Sequence, residues 1–377
     1  MSTRSSASTS RRRSPDARRL TARDLNRATL ARQLLLERSS LTPLAAIEQL
    51  AGMQAQVPRP PFLGLWTRLR TFARDDLTSL IASKQVVRAT MMRATIHLVS
   101  TADYVRLRPA LQTTLVALAG NLLRDRIAGV DLAPVIRTMK RLLPATFDEV
   151  RAGLAEAFPD HDTRALAYGL RCKLPLVLVP NDSRWSYAGN ADFADAEKFL
   201  ATRIAASAAA DDLVLRYLAA FGPATVKDAA RWSAMRDLVP VFERLRPQLV
   251  TFTDDRGREL FDLPDAPRPG PDVAAPVRLI PDYDNLGLAY DDRSRLVDDA
   301  HRGALCSKNG IIYPTFLVDG RVAGLWSLER TKTRATLTLR PFGKLPKPAR
   351  TALIEEAERL LRFVEDDAPA FSVAVAA

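Results

Sequence analysis

LVLRYLAAFGPATVKDAARWSAMRDLVPVFERLRPQLVTFTDDRGRELF, residues 213–261, encodes a complete supersecondary unit. Val214, Leu218 and Phe221 recur at helical spacing on one apolar face, and Gly222-Pro223 stops that helix. Thr225-Val226-Lys227-Asp228 is a capping box, in which a hydroxyl and a carboxylate three residues apart satisfy each other's backbone N–H groups. It opens a second helix that turns Ala229 and Trp232 inward, and a third follows through Val241, Phe242 and Leu245. The strand Leu249-Val250-Thr251-Phe252, the turn Asp254-Asp255-Arg256-Gly257 and the strand Glu259-Leu260-Phe261 then form a hairpin. Three helices closed by a hairpin have the order of a winged helix.

Working outward, the same order recurs twice upstream. A middle copy has a capping box at Thr146-Phe147-Asp148-Glu149, an apolar face through Val150, Leu154 and Phe158, and a helix through Leu166 and Leu170. Its hairpin is expected to pair residues 176–179 with Trp185-Ser186-Tyr187 across Pro180-Asn181-Asp182. The first copy runs from a helix near 25–37 through Thr42-Pro43, an N-cap followed by proline at the first helical position. A helix at about 75–83 and strands at 86–90 and 95–99 complete it. Downstream, Pro264, Pro267, Pro269, Pro271 and Pro276 form a linker. Strands at 277–280, 315–318, 322–327 and 335–340 and a closing helix at about 348–364 follow. The fold class is therefore α+β: three tandem winged-helix units before a mixed β-rich C-terminal domain. The boundaries are a disordered basic tail over 1–20, units over 21–100, 101–192 and 193–265, and the last domain over 266–377. The middle unit reads as scaffolding.

Within the first unit lies Gln54-Ala55-Gln56, ahead of the proline run Val57-Pro58-Arg59-Pro60-Pro61. Val57 precedes a proline and is pushed toward extended geometry, so the helix from Pro43 is expected to end at about Gln54. In an extended segment residues i and i+2 share a face, so both amides can address one object. From spacing alone the pair reads as two polar side chains facing solvent at a helix exit. Only context argues for chemistry.

The formal charge is +12, and residues 1–20 hold six arginines against one aspartate. A basic surplus spread over a folded body favours a polyanionic partner, although only nine of the 55 basic residues are lysine, a bias that GC-rich codon usage also produces. With no long apolar run and no hydrophobic leader, neither a membrane span nor a secretory signal is read, and a cytoplasmic, nucleoid-associated location is expected. Cys172 and Cys306, far apart, suit reduced and buried thiols rather than zinc. Asp282-x-Asp284 superficially resembles a metal site, but no histidine accompanies it and it reads as a strand edge leading into a turn. No metal and no cofactor are expected. In the first unit's hairpin, His97 is a structural hydrogen-bonding histidine or a DNA contact. Arg88 and Arg93, flanking Thr90-Met91-Met92, are candidates to clamp phosphates, or a solvated basic turn. Phe62 and Trp66, four apart, read as core residues.

Four stretches together resemble the AlkZ-like winged-helix DNA glycosylases: Gln54-Ala55-Gln56; Arg93-Ala94-Thr95-Ile96-His97-Leu98-Val99; Leu279-Ile280-Pro281-Asp282-Tyr283-Asp284-Asn285-Leu286; and residues 314–326. The resemblance covers about residues 21 to 365. It implies a C-shaped body, excision of alkylated purines and unhooking of interstrand crosslinks. It also implies that Gln54 and Gln56 are the catalytic Gln-x-Gln pair, with double-stranded DNA bearing alkylated bases as partner of a monomer. Ala55 is smaller than the residue usual between the glutamines, and Ala94 stands where glycine is expected. The chemistry suits two amides. A purine alkylated at N7 or N3 is already cationic and leaves without a strong acid, so a water fixed by two amide oxygens can complete hydrolysis. The absence of a lysine near the pair, Lys84 being the nearest, argues against a Schiff-base lyase step. The competing reading is a non-enzymatic winged-helix DNA binder or transcriptional regulator.

Overall fold

A short strand β1 (Arg19–Leu20) leads into α1 (Ala22–Arg32), opened by a capping box between Thr21 and Asp24. The computed structural model describes residues 18–123, 126–127, 129–307 and 310–376. Next comes α2 (Pro43–Gln49), where the Thr42 hydroxyl accepts from Ala45 N–H. This helix stops five residues earlier than expected, because Ala51 and Gly52 take left-handed φ values of 56° and 79°. Gln54 is therefore not a helix exit but part of a strand, β2 (Met53–Gln54). The proline run enters the next helix. Pro60 and Pro61 are the first residues of α3 (Pro60–Arg68), where missing N–H groups cost nothing. α4 (Arg74–Ala82), β3 (Val86–Thr90) and β4 (Ile96–Ser100) fall where the sequence puts them.

The second segment contains α5 (Thr101–Leu123), α6 (Leu132–Leu142), α7 (Phe147–Ala157), α8 (Thr163–Lys173), β5 (Leu176–Leu178), β6 (Phe193–Asp195) and α9 (Ala196–Leu200). Its hairpin corrects the expectation, since β5 pairs with β6 and not with residues 185–187. The aromatic rings of that segment have other partners. Trp185 meets Phe62 edge-on at 5.1 Å, and Tyr187 is buried beneath the Arg88 guanidinium. β5 also pairs with β3 through Val177 and Ala89, so the first two segments share one five-stranded sheet, ordered β2-β4-β3-β5-β6. Strand alternation sends its residues into two cores. Val87, Ala89, Val99 and Val177 enter one; Val86, Ile96, Leu98 and Leu176 enter the other.

The stretch 213–261 folds in the expected order: α10 (Asp211–Phe221), α11 (Val226–Ser233), α12 (Val239–Leu245), then the antiparallel pair β7 (Val250–Asp254) and β8 (Glu259–Asp262). β1 adds to this hairpin in parallel beside β7. Residues 19 and 20 thus belong to a sheet rather than to a basic tail; residues 1–17 of that tail lie outside the described residues. Arg32 joins the first segment to the third, donating from both terminal nitrogens to the buried Asp262 carboxylate at 2.7 and 2.8 Å.

In the C-terminal domain, β9 (Arg278–Ile280), β10 (Thr315–Val318), β11 (Arg321–Arg330) and β12 (Ala335–Pro341) run antiparallel, and α13 (Lys347–Val364) buries Leu353, Ala357, Leu360, Leu361 and Val364. A last strand, β13 (Phe371–Val375), pairs in parallel with β12 and was not legible in the sequence. Trp66 is half-buried against Phe363 of α13, while Phe62 lies in the core. Cys172 is buried and Cys306 only half-buried, each a free thiol. Among the described residues no helix is long and apolar enough to cross a membrane.

Candidate active site

Gly52 creates the position of Gln54. A Cβ at Gly52 would stand 2.5 Å from Val99 Cγ1, so only glycine lets the chain turn left-handed this close to β4. The chain then pairs along the sheet edge, Met53 opposite Leu98 and Gln54 opposite His97, and Ala55 N–H donates to Ile96 O at 2.8 Å. Met53 and Ala55 point into one core. Gln54 points to the opposite face, as the two-residue period requires.

Arg93 holds Gln54 there. Its Nη2 donates to Gln54 Oε1 at 2.7 Å, and its Nη1 donates to the carbonyl of Trp232 on α11. Arg93 has only donors, so the Gln54 oxygen must face it, and the orientation of the amide is fixed. The same Nη2 lies 3.4 Å from His97 Nε2, which can only accept from it; His97 Nδ1 then carries the proton and donates to Thr95 O at 3.1 Å. Burial, reinforced by the Arg93 charge, drives the His97 pKa down to about 3, so the ring is neutral. Burial likewise pulls Arg93 down to about 10, with Arg231 and Arg293 adding repulsion.

Gln56 is exposed, and its Oε1 accepts from Ile96 N–H at 3.3 Å, which fixes the second amide in the same way. Arg88 supports the backbone from the other face, with Nε donating to Ala55 O at 2.8 Å and Nη2 to Gln56 O at 3.0 Å. It stands over the Tyr187 ring, and burial lowers its pKa to about 10. Of the three residues expected to contact DNA, Arg88 is 3% exposed and His97 fully enclosed, while Arg93 is half-buried and bonded to Trp232 and Gln54. Their hydrogen-bonding groups face the Gln54-Ala55-Gln56 segment and its neighbours, so this geometry makes them supports of the glutamines instead of phosphate clamps. Lys84 is engaged with Phe199 O at 2.9 Å.

A cleft opens beside Gln54, lined on one side by Met53, Pro60 and Pro61 and on the other by Pro281, Asp282 and Asn285 of the C-terminal domain. Two bonds hold that second wall. Asn285 Nδ2 donates to Gly52 O at 2.8 Å, and the buried Arg68 donates to Asp284 Oδ1 at 3.0 Å. Trp326 Nε1 braces the wall from behind by donating to Ile280 O at 2.9 Å. Asp284 serves this ion pair and caps Leu286 N–H, while Asp282 Oδ1 is buried without a hydrogen-bond partner and burial raises the Asp282 pKa. Among the described residues, no three His, Cys, Asp or Glu side chains gather as a metal site. Asp282 and Asn285 belong to a stretch recognisable in the sequence, but nothing in their spacing announced that they face Gln54 across more than two hundred residues.

The family profile described as DNA glycosylase AlkZ-like matches residues 47–363. A curated relative, the interstrand DNA cross-link repair glycosylase of Streptomyces sahachiroi, is 27% identical over 168 residues; the match covers 41% of this chain and 42% of that protein. The solved structure of Streptomyces sahachiroi DNA glycosylase AlkZ superposes with a TM-score of 0.76 at 20% identity, covering 95% of this chain and all of that one, which shows a common α+β fold.

Proposed function

Because the chain belongs to the DNA glycosylase AlkZ-like family, we propose that it hydrolyses the N-glycosidic bond of purines alkylated at N7 or N3 in duplex DNA, with Gln54 and Gln56 as the catalytic pair. The segments before residue 265 are read as three tandem winged-helix units that carry the duplex past the cleft. The observation that carries this reading is the fixed orientation of Gln54: Arg93 takes one lone pair of its Oε1 and leaves the other for a water.

A cationic purine is a good leaving group, so no strong general acid is required. As the bond stretches, positive charge develops on the sugar. The C–N electron pair leaves with the purine, which departs neutral; water held between the amide oxygens of Gln54 and Gln56 adds to C1′ and sheds its proton to bulk solvent, and those oxygens face the developing charge with their negative ends, which stabilises the transition state more than the bound substrate. An amide cannot remove a proton as a tuned carboxylate does, and this restricts the reaction to labile, charged lesions. Interstrand crosslinks formed through the same purine nitrogens are substrates of the same chemistry. Without a lysine at the pair the reaction stops at the abasic site, making the enzyme monofunctional, and it works as a monomer beside the nucleoid.

The test is a duplex bearing a single N7-methylguanine, incubated with protein and heated in alkali. Scission by the wild-type protein that is lost in Gln54→Ala and in Gln56→Ala is the expected outcome. Equal scission by all three would place catalysis elsewhere, binding without scission would favour a non-enzymatic DNA binder, and robust excision of uracil would refute the restriction to cationic lesions.

A further inference from the structure

Two arginines from two domains, Arg231 and Arg293, act on Arg93 with like charge, and a third, Arg302, lies beside Arg293. Trp232, whose carbonyl Arg93 holds, is preceded by Arg231, exposed on α11. The loop of Asp291 to Arg293 is docked on the same helix, because Asp291 N–H donates to the buried Asp228 Oδ1 at 2.9 Å. Arg302 donates from Nη2 to Asp291 O at 2.9 Å and so joins the group. The carboxylates nearby are already engaged. Asp228 caps Thr225, Asp291 pairs with Lys227 at 2.7 Å, and Asp292 pairs with Arg256 and Arg258. Neither Arg231 nor Arg293 has an ion-pair partner among the described residues, and Arg293 Nε is buried without any hydrogen-bond acceptor. Many other arginines of this chain, including Arg32, Arg68 and Arg246, do have carboxylate partners.

Unpaired guanidinium groups held together are stabilised by an anion between them; burial first, then the Arg231 and Arg302 charges, lower the Arg293 pKa, against a partial offset from Cys306 and Asp291. The position adds a second argument. The Arg93 cation beside Gln54 opposes the positive charge that develops on the sugar during glycosidic cleavage, unless an anion of the substrate lies between them.

We propose that Arg231 and Arg293, with Arg302 behind them, form a phosphate-binding site for the DNA strand whose nucleotide reaches Gln54. This rests on the glycosylase reading for the identity of the strand, but not for the presence of an anion site. Bidentate guanidinium contacts fix the register of the backbone. They place the scissile sugar beside Gln54 and neutralise the cluster at the same moment.

Binding of an undamaged duplex oligonucleotide, followed by fluorescence anisotropy across a potassium chloride series, tests the site without requiring catalysis. Arg231→Gln and Arg293→Gln are each expected to reduce the magnitude of the slope of log affinity against log salt by about 0.9, one phosphate each. Arg350→Gln on α13, an equal change of charge outside the cluster, is expected to leave the slope within error. Arg231 is exposed, so its variant keeps the fold, and Arg231→Lys should restore most of the slope. Unchanged slopes in both cluster variants while N7-methylguanine is still excised would overturn this site and leave the glycosylase reading standing. Reduced slopes with no excision by wild-type protein would keep the site and remove the glycosylase reading.

Discussion

Arg93 Nη2 lies 2.7 Å from Gln54 Oε1, and its Nη1 reaches the Trp232 carbonyl on another segment of the chain. The orientation of the Gln54 amide on the sheet edge therefore depends on how a helix more than 130 residues away is docked. His97, neutral and accepting on Nε2, completes the arrangement by giving the guanidinium a third fixed neighbour.

Arg93→Lys tests that dependence. A single ammonium on a flexible stem cannot hold two acceptors in fixed directions as a planar fork does. A small misplacement of a catalytic group costs on the order of 100-fold in rate. Single-turnover excision of N7-methylguanine is expected to slow by roughly that factor, with duplex affinity changed far less. An unaltered single-turnover rate would remove Arg93 from the positioning of Gln54.

The neutral state of His97 sets a pH dependence of stability. Its folded pKa of about 3 lies below the ordinary value of 6.5, so between those values the unfolded chain binds more protons than the folded one. The stability that His97 contributes is fully present above pH 6.5 and is lost as pH falls toward 3, at up to ~1.4 kcal/mol per pH unit. His97→Asn, which cannot be protonated in this range, should flatten the melting temperature between pH 6.5 and 4 relative to wild type. Parallel curves for the two proteins would show that the ring is not held neutral.

What the sequence made legible follows from how local the cause was. Capping boxes at Thr146 and Thr225 and the N-cap at Thr42 lie where their residues indicate, because each is satisfied within three residues. β12 and β13 pair across an intervening helix, and Ala89 meets Val177 from a separate segment; no period in either strand specifies its partner. The glutamines could be singled out as a pair, yet the end of α2 was misplaced by five residues because two consecutive left-handed residues, only one a glycine, break it. Arg88 and Arg93 read as surface cations since a basic residue is ordinarily exposed. Arg88 is buried and Arg93 half-buried because acceptors at Ala55, Gln56 and Trp232, which only the tertiary fold supplies, hold them.

Ala94 has a left-handed φ of 56°, at a position where the resemblance to the family calls for glycine. That conformation costs a residue with a Cβ roughly 1–2 kcal/mol, while glycine gives back about 0.5–1 kcal/mol through its freer unfolded chain. Ala94→Gly is therefore expected to raise stability by up to about 1 kcal/mol in urea unfolding, without loss of excision activity. A destabilisation would show that packing of the buried Ala94 methyl outweighs the backbone strain.

Arg32 and Asp262 are enclosed where the first segment meets the third, and losing one partner leaves the other charge buried and uncompensated. Such a loss costs about 3–5 kcal/mol, whereas an exposed ion pair contributes about 0–1 kcal/mol. Asp262→Asn is expected to shift the urea midpoint strongly, and Asp211→Asn, which breaks the more exposed pair with Arg244, to shift it little. The two substitutions remove the same charge, but Asp262 also pairs with Arg268 at 2.6 Å, so their difference reports burial together with the loss of that second partner. Because β8, which ends at Asp262, belongs to the same segment as Trp232, Asp262→Asn should also weaken the hold of Arg93 on Gln54. Excision measured at a temperature where the variant remains folded would then fall below wild type, and full activity there would mean that the docking of α11 does not depend on this pair.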